Sequence, residues 1–196
     1  MHHYGRFDES ALRPHPIFEG HSRGYSAAPL VDRSCGSVHT GLSVNELAPG
    51  GAVDPHVHSF EKGAYLLSGE AILTIGAASY HVGPGDYAAI KVGTPHAWRA
   101  AGTAPVRWLQ MSAPQPKPPG AERDTFFPRG PGAPAAAPRL DLAQLQGNLL
   151  GHFDAGQIPP VHERTSAGAG LEGVFLKWMI DEAFGASHHR LLFIEY

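Results

Sequence analysis

Short stretches of alternating apolar and polar residues, separated by turns at regular intervals, constrain the fold of this sequence most. Residues 37–47 alternate as a strand does and run into the turn 48–51 (Ala-Pro-Gly-Gly). Residues 64–76 predict two short paired strands with a tight bend at Gly69. Further short apolar segments follow between Pro/Gly turns, namely SYHV, YAAIKV, HAWRA and VRWLQMS. Because 24 glycines and 18 prolines also disfavour helix interiors, we expect an all-β antiparallel sandwich or barrel.

The flanks of this region have a different character. Residues 1–36 show no sustained period and predict an N-terminal arm that lies against the body. A Pro/Ala-rich stretch, residues 114–139, predicts a linker or a wrapping strap. In the C-terminal extension, residues 140–196, Asp141 is expected to cap a short helix over 141–150, and two strands are expected near the end. The predicted barrel therefore spans residues 37–113.

Composition and charge exclude several classes of protein. With 15 Lys and Arg against 18 Asp and Glu, the net charge is -3, and no basic stripe is present to neutralise phosphates, so we expect no nucleic-acid partner. No stretch approaches eighteen consecutive apolar residues, so we expect no membrane span. The lone Cys35 allows no internal disulfide, and the N-terminus lacks an apolar run, so a cytoplasmic location is expected.

Three histidines carry the candidate chemistry. His56 and His58 are one residue apart, so on a strand both imidazoles project from the same face. His96 begins a later strand, directly after a Gly-Thr-Pro turn, and a barrel can bring the three rings to one point. Imidazoles bind divalent metals, and three side chains leave positions open for water and substrate. The residues do not distinguish Mn, Fe, Zn and Ni.

Over roughly residues 37–112 the sequence resembles the cupin family. Seven positions are in register with the two cupin motifs: Gly50, His56, His58, Gly69, Gly85, Gly93 and His96. The resemblance implies a double-stranded β-helix, or jelly-roll barrel, with a metal held by the histidines. The tail, residues 173–196, resembles the opening strands of the second barrel in two-barrel cupins. Barrels of this family often dimerise, which implies a homodimer.

The sequence departs from the motifs at the usual metal-binding glutamate. Lys62 stands in its place, and Glu61 lies one position early. Because an ammonium group has no lone pair, Lys62 is a poor fourth ligand. Three outcomes stay open: a metal on three histidines, a local shift that turns Glu61 inward as a ligand, or a barrel without metal. In the second motif, Lys91 and Ala100 replace the usual proline and asparagine.

The remaining candidate site residues concern a substrate. If Lys62 faces the cavity, its charge can hold a substrate carboxylate. Tyr65 and Trp98 are expected in the core or cavity wall, where they can contact a ligand. Two functions follow from the resemblance: a metal-dependent enzyme acting on a small organic acid or related metabolite, by dioxygenase-like, lyase, isomerase or hydrolase chemistry, or a non-catalytic barrel that binds a small molecule.

Overall fold

The computed structural model describes residues 6–118, 123–145, 149–164 and 172–195. Short strands dominate these ranges, and the helical elements among them are 3-10 turns of three residues each. The strands are β1 (Arg13–Pro14), β2 (Ser22–Val31), β3 (Gly41–His58), β4 (Glu61–Ser68), β5 (Ala71–Ile75), β6 (Ala78–Val82), β7 (Asp86–Ile90), β8 (His96–Ala100), β9 (Val106–Ala113), β10 (Thr125–Phe126), β11 (Leu150–His152), β12 (Phe175–Ile180) and β13 (Leu191–Glu195).

An antiparallel sheet curls into a half-barrel around the long strand β3. Its order is β11-β7-β4-β9-β3-β8-β5-β6, with β2 and β10 also paired to β3. The first part of β3, residues 41–47, pairs with β9, and residues 52–56 pair with β8. Side chains on the inner face of the curled sheet form the main core, which includes the fully buried Leu47, Leu73 and Trp108. The predicted all-β jelly-roll barrel is confirmed.

The predicted exit turn at residues 48–51 is wrong, because β3 continues through it. The structure has a bend inside the strand, where Gly50 takes a φ of +72°. Left-handed backbone of this kind favours glycine. The bend carries β3 from its pairing with β9 to its pairing with β8, so one strand serves both layers of the barrel.

The two strands predicted within residues 64–76 are present as β4 and β5, but their predicted mutual pairing is wrong. β4 pairs with β7 and β9, whereas β5 pairs with β6 and β8. Gly69 lies between them with a φ of +74°, and a Cβ there would clash with the carbonyl oxygen of Pro105. The chain therefore crosses from one layer to the other at Gly69 instead of folding back as a hairpin.

The N-terminal region is more regular than predicted. Instead of an arm without periodic structure, residues 22–31 form β2, which pairs antiparallel with β3 along nearly its whole length. Alternation is hard to detect there because Ala27 and its neighbours Ser26 and Ala28, which lie on the other face of the strand, are all small residues, and Ala28 is itself buried. Pairing with β3, rather than local hydrophobic contrast, makes this segment a strand.

The Pro/Ala-rich stretch lies against the barrel where it is described. Thr125 and Phe126 form β10 beside residues 57 and 58 of β3. Ala133 is buried against Ile72 and Ala97. Of the two alternatives left by the sequence, the structure therefore shows a strap rather than a free linker.

The predicted helix over residues 141–150 is wrong. Asp141 does cap the segment, because its carboxylate accepts a hydrogen bond from the backbone N–H of Ala143 at 3.0 Å. The capped element is a 3-10 turn, Leu142–Gln144, and Leu150 already belongs to β11, while residues 146–148 lie outside the described ranges. Because residues 150–152 pair with β7 as a strand, the end of the segment cannot continue a helix.

The two predicted C-terminal strands pair with each other as the hairpin β12–β13. The hairpin packs on the outside of the barrel, where Met179 and Ile180 contact a cluster that includes Tyr87 and Ala89. None of the helices in the described ranges has the length and hydropathy that a membrane crossing requires.

Candidate metal centre

The structure brings His56, His58 and His96 together inside the barrel. His56 and His58 lie on β3, and His96 opens β8 directly opposite His56. One ring nitrogen from each residue lies within 4.8 Å of the other two, and the ring centroids of His56 and His96 are 4.0 Å apart. At most 4% of each residue is exposed. The alternation of β3 and its pairing with β8 thus create a buried cluster of three imidazoles.

Backbone carbonyls orient two of the rings. The Nδ1 atom of His56 lies 2.7 Å from the carbonyl oxygen of Asp54, and Nδ1 of His96 lies 3.0 Å from that of Thr94. Because a carbonyl oxygen accepts but never donates, the proton of each neutral ring is on Nδ1. The lone pair is then on Nε2, the atom left to bind a metal.

A side chain of the strap orients the third ring. Nδ1 of His58 lies 2.8 Å from the hydroxyl oxygen of Thr125, and this hydroxyl donates to Asp124 Oδ1 at 3.3 Å. The hydroxyl oxygen can then accept the Nδ1 proton of His58. Sequence reasoning missed Thr125 and Asp124, because they lie in the Pro/Ala-rich stretch, where no motif marks them.

Nitrogen lone pairs that have no hydrogen-bond partner make the cluster suitable for a cation. Nε2 of His58 and Nε2 of His96 are buried and have no hydrogen-bond partner among the described residues. Leaving buried polar atoms unpaired costs free energy, roughly 1–3 kcal/mol per group. A divalent metal ligated by these nitrogens would remove that cost, so the three histidines can hold a metal ion.

Burial keeps the three imidazoles neutral. Desolvation lowers the pKa of His56, His58 and His96, and the positive charge of Lys62 lowers each further. The pKa of His96 falls to about 3. A histidine must be deprotonated to bind a metal, so the cluster is in its ligand form at neutral pH.

Lys62 points into the barrel beside this cluster. Its Nζ lies 5.8 Å from the ring centre of Phe18 and 5.9 Å from that of Phe60. Burial lowers the pKa of Lys62 to about 7. Together with His56 and Trp98, Lys62 lines a cavity of about 10 Å³, which is room for roughly one water molecule.

Glu61 lies on the opposite face of β4, outside the histidine cluster. Its carboxylate accepts hydrogen bonds from the backbone N–H groups of Ser187 at 2.9 Å and His188 at 2.7 Å. Nδ1 of His189 is 3.4 Å from Glu61 Oε2. The structure therefore corrects the assignment of Glu61 to the metal: neighbouring residues of a strand face opposite sides, and the C-terminal hairpin occupies this carboxylate.

The two aromatic candidates for substrate contact, Trp98 and Tyr65, lie on opposite faces of the barrel wall. Trp98 is buried inside the barrel, where it stacks on Trp108 with 4.8 Å between ring centroids. Tyr65 lies on the outer face of β4, packed against the cluster under the C-terminal hairpin. Because Tyr65 is an odd number of residues from Lys62, it faces away from the cavity that Lys62 lines, and its assignment to a substrate site stays a prediction.

The structure shows a curled β-barrel with three convergent imidazoles that could hold a metal ion, and the sequence comparison agrees with this fold. Residues 43–112 match the model of the cupin domain family, so this part of the chain resembles a cupin domain. None of the curated proteins with which the sequence was compared matches it.

Two solved structures with TM-scores above 0.5 show the same fold, and a third is similar over part of the chain. A polyketide cyclase from Streptomyces resistomycificus is 23% identical and superposes with a TM-score of 0.52, covering 62% of this chain and 89% of the cyclase. A cupin-2 domain from Rhodospirillum rubrum is 19% identical with a TM-score of 0.52, covering 65% of this chain and 82% of that one. Oxalate decarboxylase from Bacillus subtilis is 25% identical with a TM-score of 0.45; the match covers 54% of this chain and 28% of the decarboxylase.

Proposed function

We propose that His56, His58 and His96 hold a divalent metal ion and that the protein is a metal-dependent enzyme acting on a small organic acid or related metabolite. The observation that carries this proposal is the convergence of the three imidazoles, whose Nδ1 atoms contact Asp54, Thr94 and Thr125, with the buried Nε2 atoms of His58 and His96 left without a partner among the described residues. A set of three neutral donors is suited to a metal such as Mn, Fe, Zn or Ni.

The neighbouring side chains support an acidic substrate. A divalent metal bound here would supply Lewis-acid chemistry and activate water or dioxygen. Lys62 faces the same interior and can hold a carboxylate by its charge. The stacked rings of Trp98 and Trp108 form an apolar wall that limits access of water. We favour dioxygenase-like chemistry, by the resemblance of a three-histidine site to cupin dioxygenases.

Metal analysis of untagged protein tests the proposal. Purified protein is expected to contain nearly one equivalent of metal, and a His56→Ala/His58→Ala variant is expected to lose it. His81→Ala is a matched control, because His81 is a partly buried barrel histidine on β6 that pairs with Glu70 and lies two strands from β8, the strand of His96. Equal trace metal in all three proteins, after addition of each candidate ion, would refute the metal site.

One observation favours a second function, a non-catalytic barrel that binds a small molecule. The ammonium of Lys62 opposes a cation in the cluster by charge repulsion, and the adjoining cavity holds roughly one water. Under this alternative the histidines carry no metal, and Lys62→Glu is expected to create metal affinity that the wild-type protein lacks. Stoichiometric metal in the wild-type protein would exclude this alternative.

We also propose that the protein forms a homodimer. Trp178 and Ile194 on the C-terminal hairpin are 43% and 41% exposed, which is apolar surface that a second copy can cover. Light scattering is expected to give a dimer for the wild-type protein and a monomer for Trp178→Asp; a monomeric wild type would refute this. The predicted division into an N-terminal arm, a cupin barrel, a Pro/Ala-rich linker and a C-terminal extension, and a cytoplasmic location, stay predictions.

A further inference from the structure

A groove of about 460 Å³ opens between the N-terminal segment and the strap. Its base is formed by side chains of β2, β3 and β9 that also face the barrel interior, among them Ala27, Asn45 and Gln110. One wall is residues 13–17 and the other is residues 115–118. This volume is within the range of small-molecule sites in proteins.

The groove offers an apolar surface to a ligand. Nine of its lining residues are apolar or proline, among them Ile17, Val31 and Leu42, and four are charged, namely Arg13, Asp32, Arg33 and Lys117. Two buried amides in the lining already have protein partners: Asn45 accepts from the Tyr25 hydroxyl at 2.7 Å, and Gln115 donates to the carbonyl oxygen of Thr40 at 3.0 Å. The walls therefore suit an apolar body and hold their polar groups in fixed positions.

An unpartnered nitrogen lines the groove, and the Lys62 charge lies in the small cavity beside it. Gln110 lines both the groove and the small cavity that contains Lys62 and His56. His15 lines the groove, and its Nδ1 is buried with no hydrogen-bond partner in the described ranges. The ring of Phe18 lies 5.3 Å from that of His15 and 5.8 Å from the Lys62 ammonium. The groove and the cavity beside the histidine cluster are thus neighbours that share Gln110 as a wall, with His15 on the groove side and Lys62 on the cavity side.

We propose that this groove binds an organic acid with an extended apolar body, whose carboxylate lies between Lys62 and His15. The ammonium supplies a charge-assisted hydrogen bond to the carboxylate, and His15 supplies a second donor. The apolar body lies along the proline-lined walls and is removed from water. This inference rests on the proposed function in taking the histidine cluster as the reacting centre, and it narrows the substrate class to amphipathic acids.

Calorimetry with octanoate, 1-octanol and octylamine tests the ligand class. Octanoate is expected to bind at least about tenfold more tightly than the other two, because the apolar groove adjoins the buried Lys62 cation in the neighbouring cavity. Lys62→Met is expected to weaken octanoate about tenfold without weakening octanol. Equal binding of all three compounds by the wild-type protein, or no binding of octanoate, would overturn the proposal.

A substitution that fills the groove tests whether octanoate binds there. Ala27→Phe places a ring in the groove and is expected to weaken octanoate at least about tenfold. Ser26→Phe, one residue away on the opposite face of β2, is expected to leave the affinity unchanged. Unaltered octanoate binding by a folded Ala27→Phe variant would show that the ligand binds elsewhere. If Ala27→Phe fails to fold, the Lys62→Met comparison tests the proposal instead.

Metal content measured on the same preparations separates this inference from the proposed function. Octanoate binding with the expected charge preference, in protein that takes up no metal, would refute the metalloenzyme and support the groove. Stoichiometric metal without octanoate binding would support the metalloenzyme and overturn the groove.

Discussion

Replacing Glu61 tests whether its carboxylate secures the C-terminal hairpin or binds a metal. The residue is 3% exposed, and its oxygens accept from Ser187 and His188 N–H groups on the hairpin side. Removing the carboxylate leaves these two hydrogen-bond donors without an acceptor, at about 1–3 kcal/mol each, or about 2–6 kcal/mol together. Glu61→Ala is therefore expected to lower the free energy of unfolding by that amount. Glu61→Gln keeps one carbonyl acceptor and is expected to cost less, roughly 1–3 kcal/mol.

Urea unfolding measures the loss, and limited proteolysis locates it. The variants are expected to be cleaved faster in the C-terminal hairpin while their metal content stays that of the wild-type protein. Glu182→Ala is the matched control: it removes an exposed ion pair with Arg190 on the same hairpin and is expected to change stability little. Loss of metal from Glu61→Ala with unchanged stability would refute this account, because it would show the carboxylate turned into the barrel as a ligand.

Three further predictions concern residues around the cluster. Thr125→Val removes the hydrogen-bond partner of His58 and is expected to weaken metal affinity about 10–100-fold. Competition titration measures this affinity, with Thr74→Val as the control, and equal affinities in both variants would contradict the role of Thr125. In protein stripped of metal, the unfolded chain keeps the Lys62 proton up to its ordinary pKa of 10.5, while the folded chain loses it near 7, so unfolding takes up a proton. Stability is then expected to rise between pH 7 and 10, by at most about 1.4 kcal/mol per pH unit, and Lys62→Met is expected to abolish this contribution; identical pH curves would contradict it. Gly63→Ala places a Cβ 2.7 Å from His189 Nε2 and is expected to loosen the hairpin in proteolysis; unchanged cleavage would argue against this packing.

The strands of the barrel were predictable because their side chains alternate in polarity. A strand that is buried on one face repeats every two residues, and the segments from β4 to β9 show this repeat between Pro/Gly turns. The spacing of His56 and His58 also set their common face, because a strand allows no other arrangement. Local chemistry therefore specified these elements without knowledge of their partners.

Pairing and the outer contacts depend on residues far apart in the sequence. β2 is a strand because β3 lies beside it, and Thr125 reaches His58 from 67 positions away. Alternation places Glu61 and Lys62 on opposite faces but does not say which face is the interior. The hydrogen bond from Ser187 of the hairpin to Glu61 shows that Glu61 faces outward, and no local sequence pattern predicts this contact.

A crystal structure with anomalous scattering data, collected at the absorption edge of the metal found in the protein, tests the central claim most directly. We predict one strong anomalous peak about 2.0–2.3 Å from the Nε2 atoms of His56, His58 and His96, with the Lys62 ammonium outside ligand distance. A metal-loaded crystal with no peak at the three imidazoles, or with its peak elsewhere, would contradict the account.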